Sequence, residues 1–180
     1  SGTPNVGNSL SASTGNWTDA DGDTPTFSYQ WKSGSTNIGT NANGYTLTAA
    51  EAHSNITVVV TANDGNGGAT GATSAMTAVA NTAPVNSVLP LIGGVVSVGN
   101  VITVSTGSWT DVDGDTLPYS YQWKRSGTNV GGNVANYTLT LDDAHSSISV
   151  VVTAGDGNGG TTSATSASIM IANSAPANTK

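Results

Sequence analysis

Residues 108–124 read SWTDVDGDTLPYSYQWK, and residues 16–32 read NWTDADGDTPTFSYQWK. Each stretch places three aspartates within five positions and then turns into an alternation of aromatic and polar residues. In the earlier copy Phe27, Tyr29 and Trp31 alternate with Ser28, Gln30 and Lys32; in the later one Tyr119, Tyr121 and Trp123 alternate with Ser120, Gln122 and Lys124. A period of two puts the aromatic residues on one face, so each stretch predicts a strand buried on its aromatic side. The aspartates and the glycine before it are turn formers and predict a loop leading into that strand.

The rest of the chain follows the same duplication. Trp17 returns as Trp109, Tyr45 as Tyr137, His53 as His145 and Asp64 as Asp156, each 92 positions apart (109 − 17, 137 − 45, 145 − 53, 156 − 64). NTAP at 81–84 returns as NSAP at 173–176 in the same register, so the repeat is gapless. A unit of this length is too long for a solenoid coil and matches one β-sandwich of ~100 residues. The expected organisation is one domain over 1–82, a linker over 83–92, a second domain over 93–174 and the start of a further linker or tail over 175–180. Ser1 corresponds to Gly93, so VNSVLPLI (85–92) has no counterpart within the first unit. This reads as a piece of a longer array, or as a subunit whose ends are completed by neighbours.

Further alternation supports an all-β chain. ITVVVT directs Ile56, Val58 and Val60 inward, with Ile148, Val150 and Val152 in the second unit. YTLT offers Tyr45 and Leu47, and its copy offers Tyr137, Leu139 and Leu141. AAEAHS and LDDAHS are long enough for a single helical turn.

Composition narrows the function. Only 8% of the 180 residues are charged, against roughly 25% in an average soluble protein. Four basic residues and a net charge of −7 argue against nucleic acid as a partner, since phosphate binding needs clustered Lys and Arg. With no cysteine, disulfides, thiolate zinc sites and cysteine nucleophiles are excluded. No apolar run is long enough for a membrane-spanning helix, and no membrane insertion is expected. No Ser-His-Asp set or Gly-x-Ser-x-Gly elbow is present, and carboxylates confined to one short loop do not face each other across a cleft as in a glycosidase. The chain is not expected to be an enzyme.

A strand holding YQW, then YTLT, an acid-Ala corner and ISVVVTA resembles strands C, E and F of an immunoglobulin-like domain, with Trp31 and Trp123 as the core tryptophans. Ala12 and Val104 fall near the strand B cysteine position, Val58 and Val150 near that of strand F, and Ile56 and Ile148 replace the usual corner tyrosine. In this the chain is similar to the cysteine-free immunoglobulin-like repeats of large bacterial surface proteins and adhesins, which carry G-x-W-x-D-x-DGD before YQW. The resemblance implies two tandem Greek-key sandwiches of about seven strands each. It also implies an extracellular place on a bacterial surface and an adhesin stalk or spacer role, with neighbouring repeats as partners.

In such a sandwich the loop before strand C and the loop after strand F lie at the same end. Asp19, Asp21 and Asp23 would then meet Asp64 and Asn66, and Asp111, Asp113 and Asp115 would meet Asp156 and Asn158. Ca²⁺ takes 6–8 oxygens and suits such a set, and at the domain junction it would rigidify the array. The same residues serve equally as plain Asx turns around glycine. Two other functions stay open: a head-to-tail filament or sheath of identical subunits, and a module that binds a surface glycan or receptor through Trp17 or Trp109.

Overall fold

The computed structural model describes residues 1–172; the NSAP motif at 173–176 and the tail at 175–180 lie outside the described residues. The chain forms two compact units, Ser1–Thr82 with Val112–Gly114, and Ala83–Asp111 with the residues from Asp115 on. Among the described residues there is no α-helix.

In the first unit the strands are β1 (Ser9–Ser11), β2 (Thr26–Ser33), β3 (Thr36–Ile38), β4 (Gly44–Thr46), β5 (Asn55–Asn63), β6 (Ala69–Thr73) and β7 (Thr77–Ala78). β1 pairs with β4, while β3, β2, β5 and β6 form a second sheet with β7 alongside β5. The register sets Trp31 opposite Val58 and Tyr29 opposite Val60, so the predicted inward residues share one face. Between the sheets lie Leu10, Trp31, Leu47, Ile56, Val58, Val60 and Val79. The indole N–H of Trp31 donates to the Ala42 carbonyl at 3.0 Å, so the one polar group of this buried ring is satisfied.

The second unit repeats this plan. Its strands are β8 (Val85–Val88), β9 (Ile92–Gly94), β10 (Val101–Val104), β11 (Ser108–Thr110), β12 (Tyr119–Arg125), β13 (Thr128–Val130), β14 (Asn136–Thr138), β15 (Ser147–Gly155), β16 (Thr161–Thr165) and β17 (Ile169–Met170). Trp123 stands opposite Val150 and donates to the Val134 carbonyl at 3.0 Å. Ile102, Leu139, Ile148, Val150, Val152 and Ile171 complete a core from which water is excluded almost entirely.

Residues 85–92, expected as a linker, are built into this unit. β8 pairs with β11 and β9 with β10. Between those strands the Leu91 carbonyl accepts the Ser105 N–H at 3.0 Å, and Pro90 is buried.

One core expectation fails. Leu141 is 82% exposed, because the strand ends at Thr138 and Leu141 opens a single 3₁₀ turn over Leu141–Asp143. A turn ends the period of two, so the next residue in the alternation no longer faces inward. The matching turn in the first unit covers Ala49–Glu51, where the single helical turn was expected.

These turns bury an acid each. Glu51 accepts the Thr48 N–H at 2.9 Å and the Thr48 hydroxyl at 2.8 Å. Asp143 accepts the Thr140 N–H at 2.7 Å and the Tyr137 hydroxyl at 3.0 Å, with the Arg125 guanidinium 3.4 Å away. Burial pushes the Glu51 carboxyl up, but the hydrogen bonds from Thr48 and Tyr45 outweigh it and hold the group below its usual range. Tyr45 and Tyr137 move upward, first through burial and then because each hydroxyl donates to its acid. The tyrosine missing ahead of the strand F position is thus compensated by one from the preceding strand.

Candidate functional site: carboxylates at one end of each unit

Each unit brings its two acidic loops together. In the first, Asp19, Asp23 and Asp64 each direct a carboxylate oxygen to a common point, these atoms lying within 4.8 Å of one another. Asp111, Asp115 and Asp156 do the same in the second. The loops reach each other because β2 and β5, and likewise β12 and β15, are antiparallel neighbours: the loop entering one strand sits beside the loop leaving the other.

The local geometry is that of Asx turns. Asp19 Oδ1 accepts the Asp21 N–H at 2.9 Å and the Asp23 N–H at 3.2 Å. Asp64 Oδ1 accepts the Asn66 N–H at 2.7 Å and the Gly68 N–H at 3.0 Å; Asp156 Oδ1 accepts the Asn158 N–H at 2.7 Å and the Gly160 N–H at 2.9 Å. At Gly68 a Cβ would meet the Asp64 carboxylate, so the missing side chain lets the two approach closely.

The sequence-predicted residues do not all converge. Asp21 is exposed and meets Asp19 only through its backbone N–H. Asp113 is buried, and its Oδ2 accepts the Thr82 backbone N–H at 2.6 Å. Asn66 and Asn158 reach the site but turn their NH₂ groups to it, donating to Asp23 at 2.9 Å and Asp115 at 3.1 Å. Each set thus offers three carboxylates, with Asx turns already using one oxygen of Asp19, Asp64 and Asp156. A hard divalent cation is the ligand this chemistry suits: it would offset the repulsion among the carboxylates and draw its remaining oxygens from carbonyls and water.

Trp17 and Trp109 are half-buried at the edge of this end. Their indole N–H groups donate to the Thr14 and Thr106 carbonyls at 2.6 and 2.8 Å, and their rings lie 6.0 Å from Phe27 and 6.2 Å from Tyr119. Both pack against their cores.

No protein-family profile and no curated protein sequence matches the chain. Among solved structures, the amphioxus IgVJ-C2 molecule aligns with a TM-score of 0.50 at 17% identity, over 94% of this chain and 98% of its own. The N-terminal four immunoglobulin domains of Dscam1 isoform 6.9 align at 0.43 and 15% identity, covering 92% of this chain and 41% of that one. Domains A168–A170 of titin align at 0.35 and 15% identity, over 83% of this chain and 55% of that one. Identities this low speak to fold alone. The sheets and cores above, together with the alignment to the amphioxus molecule, define an all-β protein of tandem immunoglobulin-like sandwiches.

Proposed function

We propose that the chain is a tandem spacer module of an extracellular bacterial surface protein, and that each unit binds Ca²⁺ between its two acidic loops. The observation that carries the reading is the gapless repetition of a sandwich unit, its tryptophan core and its loop carboxylates included. A duplicated unit with its own core lengthens a chain without needing a new interface. Low charge, few basic residues and the absence of cysteine agree with an exposed stalk. The tied and half-buried Trp17 and Trp109 speak for this reading over glycan stacking on those rings.

The test is calorimetric unfolding in millimolar Ca²⁺ and in excess chelator. Binding to the folded form alone adds about 2.7 kcal/mol at a hundredfold excess over Kd, roughly 10 °C or more in Tm for units of this size. Asp64→Asn and Asp156→Asn, which keep the turn acceptor but remove a charge, shrink the shift of their own unit. Superimposable melts in calcium and chelator contradict the cation. For the spacer role, single-molecule pulling should give two releases, each of about 80–90 residues at ~3.5 Å per residue; one cooperative release contradicts it.

A further inference from the structure

Three asparagines of the chain are followed by glycine: Asn43, Asn66 and Asn158. In such a pair the asparagine side chain is open to attack by its own backbone. Glycine has no Cβ to crowd a five-membered ring closed between the asparagine Cγ and the next nitrogen. Asn66 and Asn158 are counterparts, 92 positions apart (158 − 66), whereas the counterpart of Asn43 is Ala135.

The fold treats the three pairs differently. Asn43 leads into β4: its carbonyl accepts the Ala12 N–H at 2.8 Å, and Gly44 stands opposite Ser11. Ring closure must turn the asparagine carbonyl about its bond to Cα, which at Asn43 breaks the bond to Ala12. A Cβ on Gly44 would also meet the Leu10 carbonyl at 3.7 Å. Asn66 lies in the bend between β5 and β6, and Asn158 in that between β15 and β16, outside the strands. Both are exposed, and nothing stands within 4 Å of where a Cβ would sit on Gly67 or Gly159. Their side-chain amides donate to Asp23 at 2.9 Å and Asp115 at 3.1 Å, bonds open to solvent that water can replace.

We infer that Asn66 and Asn158 are modification sites, at which the chain deamidates itself and adds a fourth carboxylate to each acidic set. The Gly67 nitrogen loses its proton and bonds to Asn66 Cγ; the bond from Cγ to Nδ2 breaks, and ammonia leaves with that proton. Water then opens the cyclic imide. Release of the nitrogen from the side-chain carbonyl gives aspartate, and release from the main-chain carbonyl gives isoaspartate. Gly159 and Asn158 react alike. Water is the only co-reactant, and nothing is oxidised or reduced. A group that now donates to Asp23 or Asp115 becomes an anion beside it. Four carboxylates repel one another more than three, and offer a further oxygen to a hard cation. That consequence rests on the calcium reading; the deamidation does not.

The folded chain is incubated in mildly alkaline buffer beside a sample unfolded in denaturant, and both are mapped by mass spectrometry of proteolytic peptides. The unfolded sample should gain one mass unit at all three asparagines at similar rates. The folded chain should gain it at Asn66 and Asn158, with Asn43 at least about tenfold slower, because its reaction needs the sheet edge to open. Conversion of folded Asn43 as fast as the other two overturns the assignment. So does the absence of conversion at Asn66 and Asn158 by the time the unfolded chain has reacted. Asn66→Asp isolates the consequence: its first unit should melt lower than the parent in chelator and rise further in calcium. Failure of that larger rise, with the conversion mapped as expected, would contradict the calcium reading and leave the modification standing.

Discussion

The two units share a register, a core tryptophan and a carboxylate triad, yet they are not equally closed. Val58 and Val60 are 5% and 7% exposed; Val150 and Val152 are 0% exposed. The strands that carry these valines are nearly identical in sequence, so the strands themselves are not the cause. Residues 85–92 lie against β10 and β11 and help to seal the second core.

The largest expected effect tests the cores. Trp123→Ala should cost about 3–5 kcal/mol, the usual range for an aromatic removed from a packed interior. Trp31→Ala should cost measurably less, since that ring borders a groove and is 4% exposed where Trp123 is fully buried. Denaturant unfolding of the two variants checks the order, and equal losses would break the comparison.

A methylene-scale change sharpens it, because its sign should differ between the units. Ala164→Val enlarges a buried side chain in a filled site and should cost about 1–3 kcal/mol by overpacking. Ala72→Val enlarges its exposed counterpart beside open space and should be neutral or gain up to about 1 kcal/mol. The readout is the midpoint of the transition belonging to each unit.

The smallest expected effect concerns acid. Glu51 has a folded pKa held below its unfolded value of about 4.3, so its hydrogen bonds contribute stability that is present above that value. The contribution is lost as pH falls through the lower folded pKa, because the protonated acid cannot accept from Thr48 and Tyr45 in the same way. Melts of the first unit between pH 5 and 3 should show this decline, and Glu51→Gln should flatten it.

Much of this fold can be read from the chain before its structure is known. Period-two alternation around Trp31 and Trp123 locates the central strands, and a 92-residue offset that never slips locates the two units. Both signals are local or exactly repeated, and burial on one face leaves a periodic trace. Other features leave none. Asn41 Oδ1 accepts the Tyr29 N–H at 2.7 Å and Asn133 Oδ1 accepts the Tyr121 N–H at 2.6 Å, but an asparagine in a Gly-rich loop carries no mark of the strand it will reach. Glu51 and Asp143 lie in polar turns and become buried only because a tyrosine folds over them. The acidic loops were partly legible: D-x-D-G-D indicates that carboxylates gather, but the turn leaves Asp21 exposed, meeting Asp19 only through its backbone N–H. The strand role of 85–92 was hidden by Pro90 and by the lack of a copy to compare it with.

Hydrogen exchange tests the central claim most directly. The Val58 N–H donates to Ser74 Oγ at 3.1 Å, and the Val150 N–H donates to Ser166 Oγ at the same distance. These bonds are chemically identical; only the second is sealed from water. Native-state exchange should therefore find Val150 protected at least tenfold more strongly than Val58, with the same ordering for Ala164 over Ala72. Equal protection of the two pairs would contradict the account, because it would mean that the Val58 bond is sealed from water as fully as that of Val150.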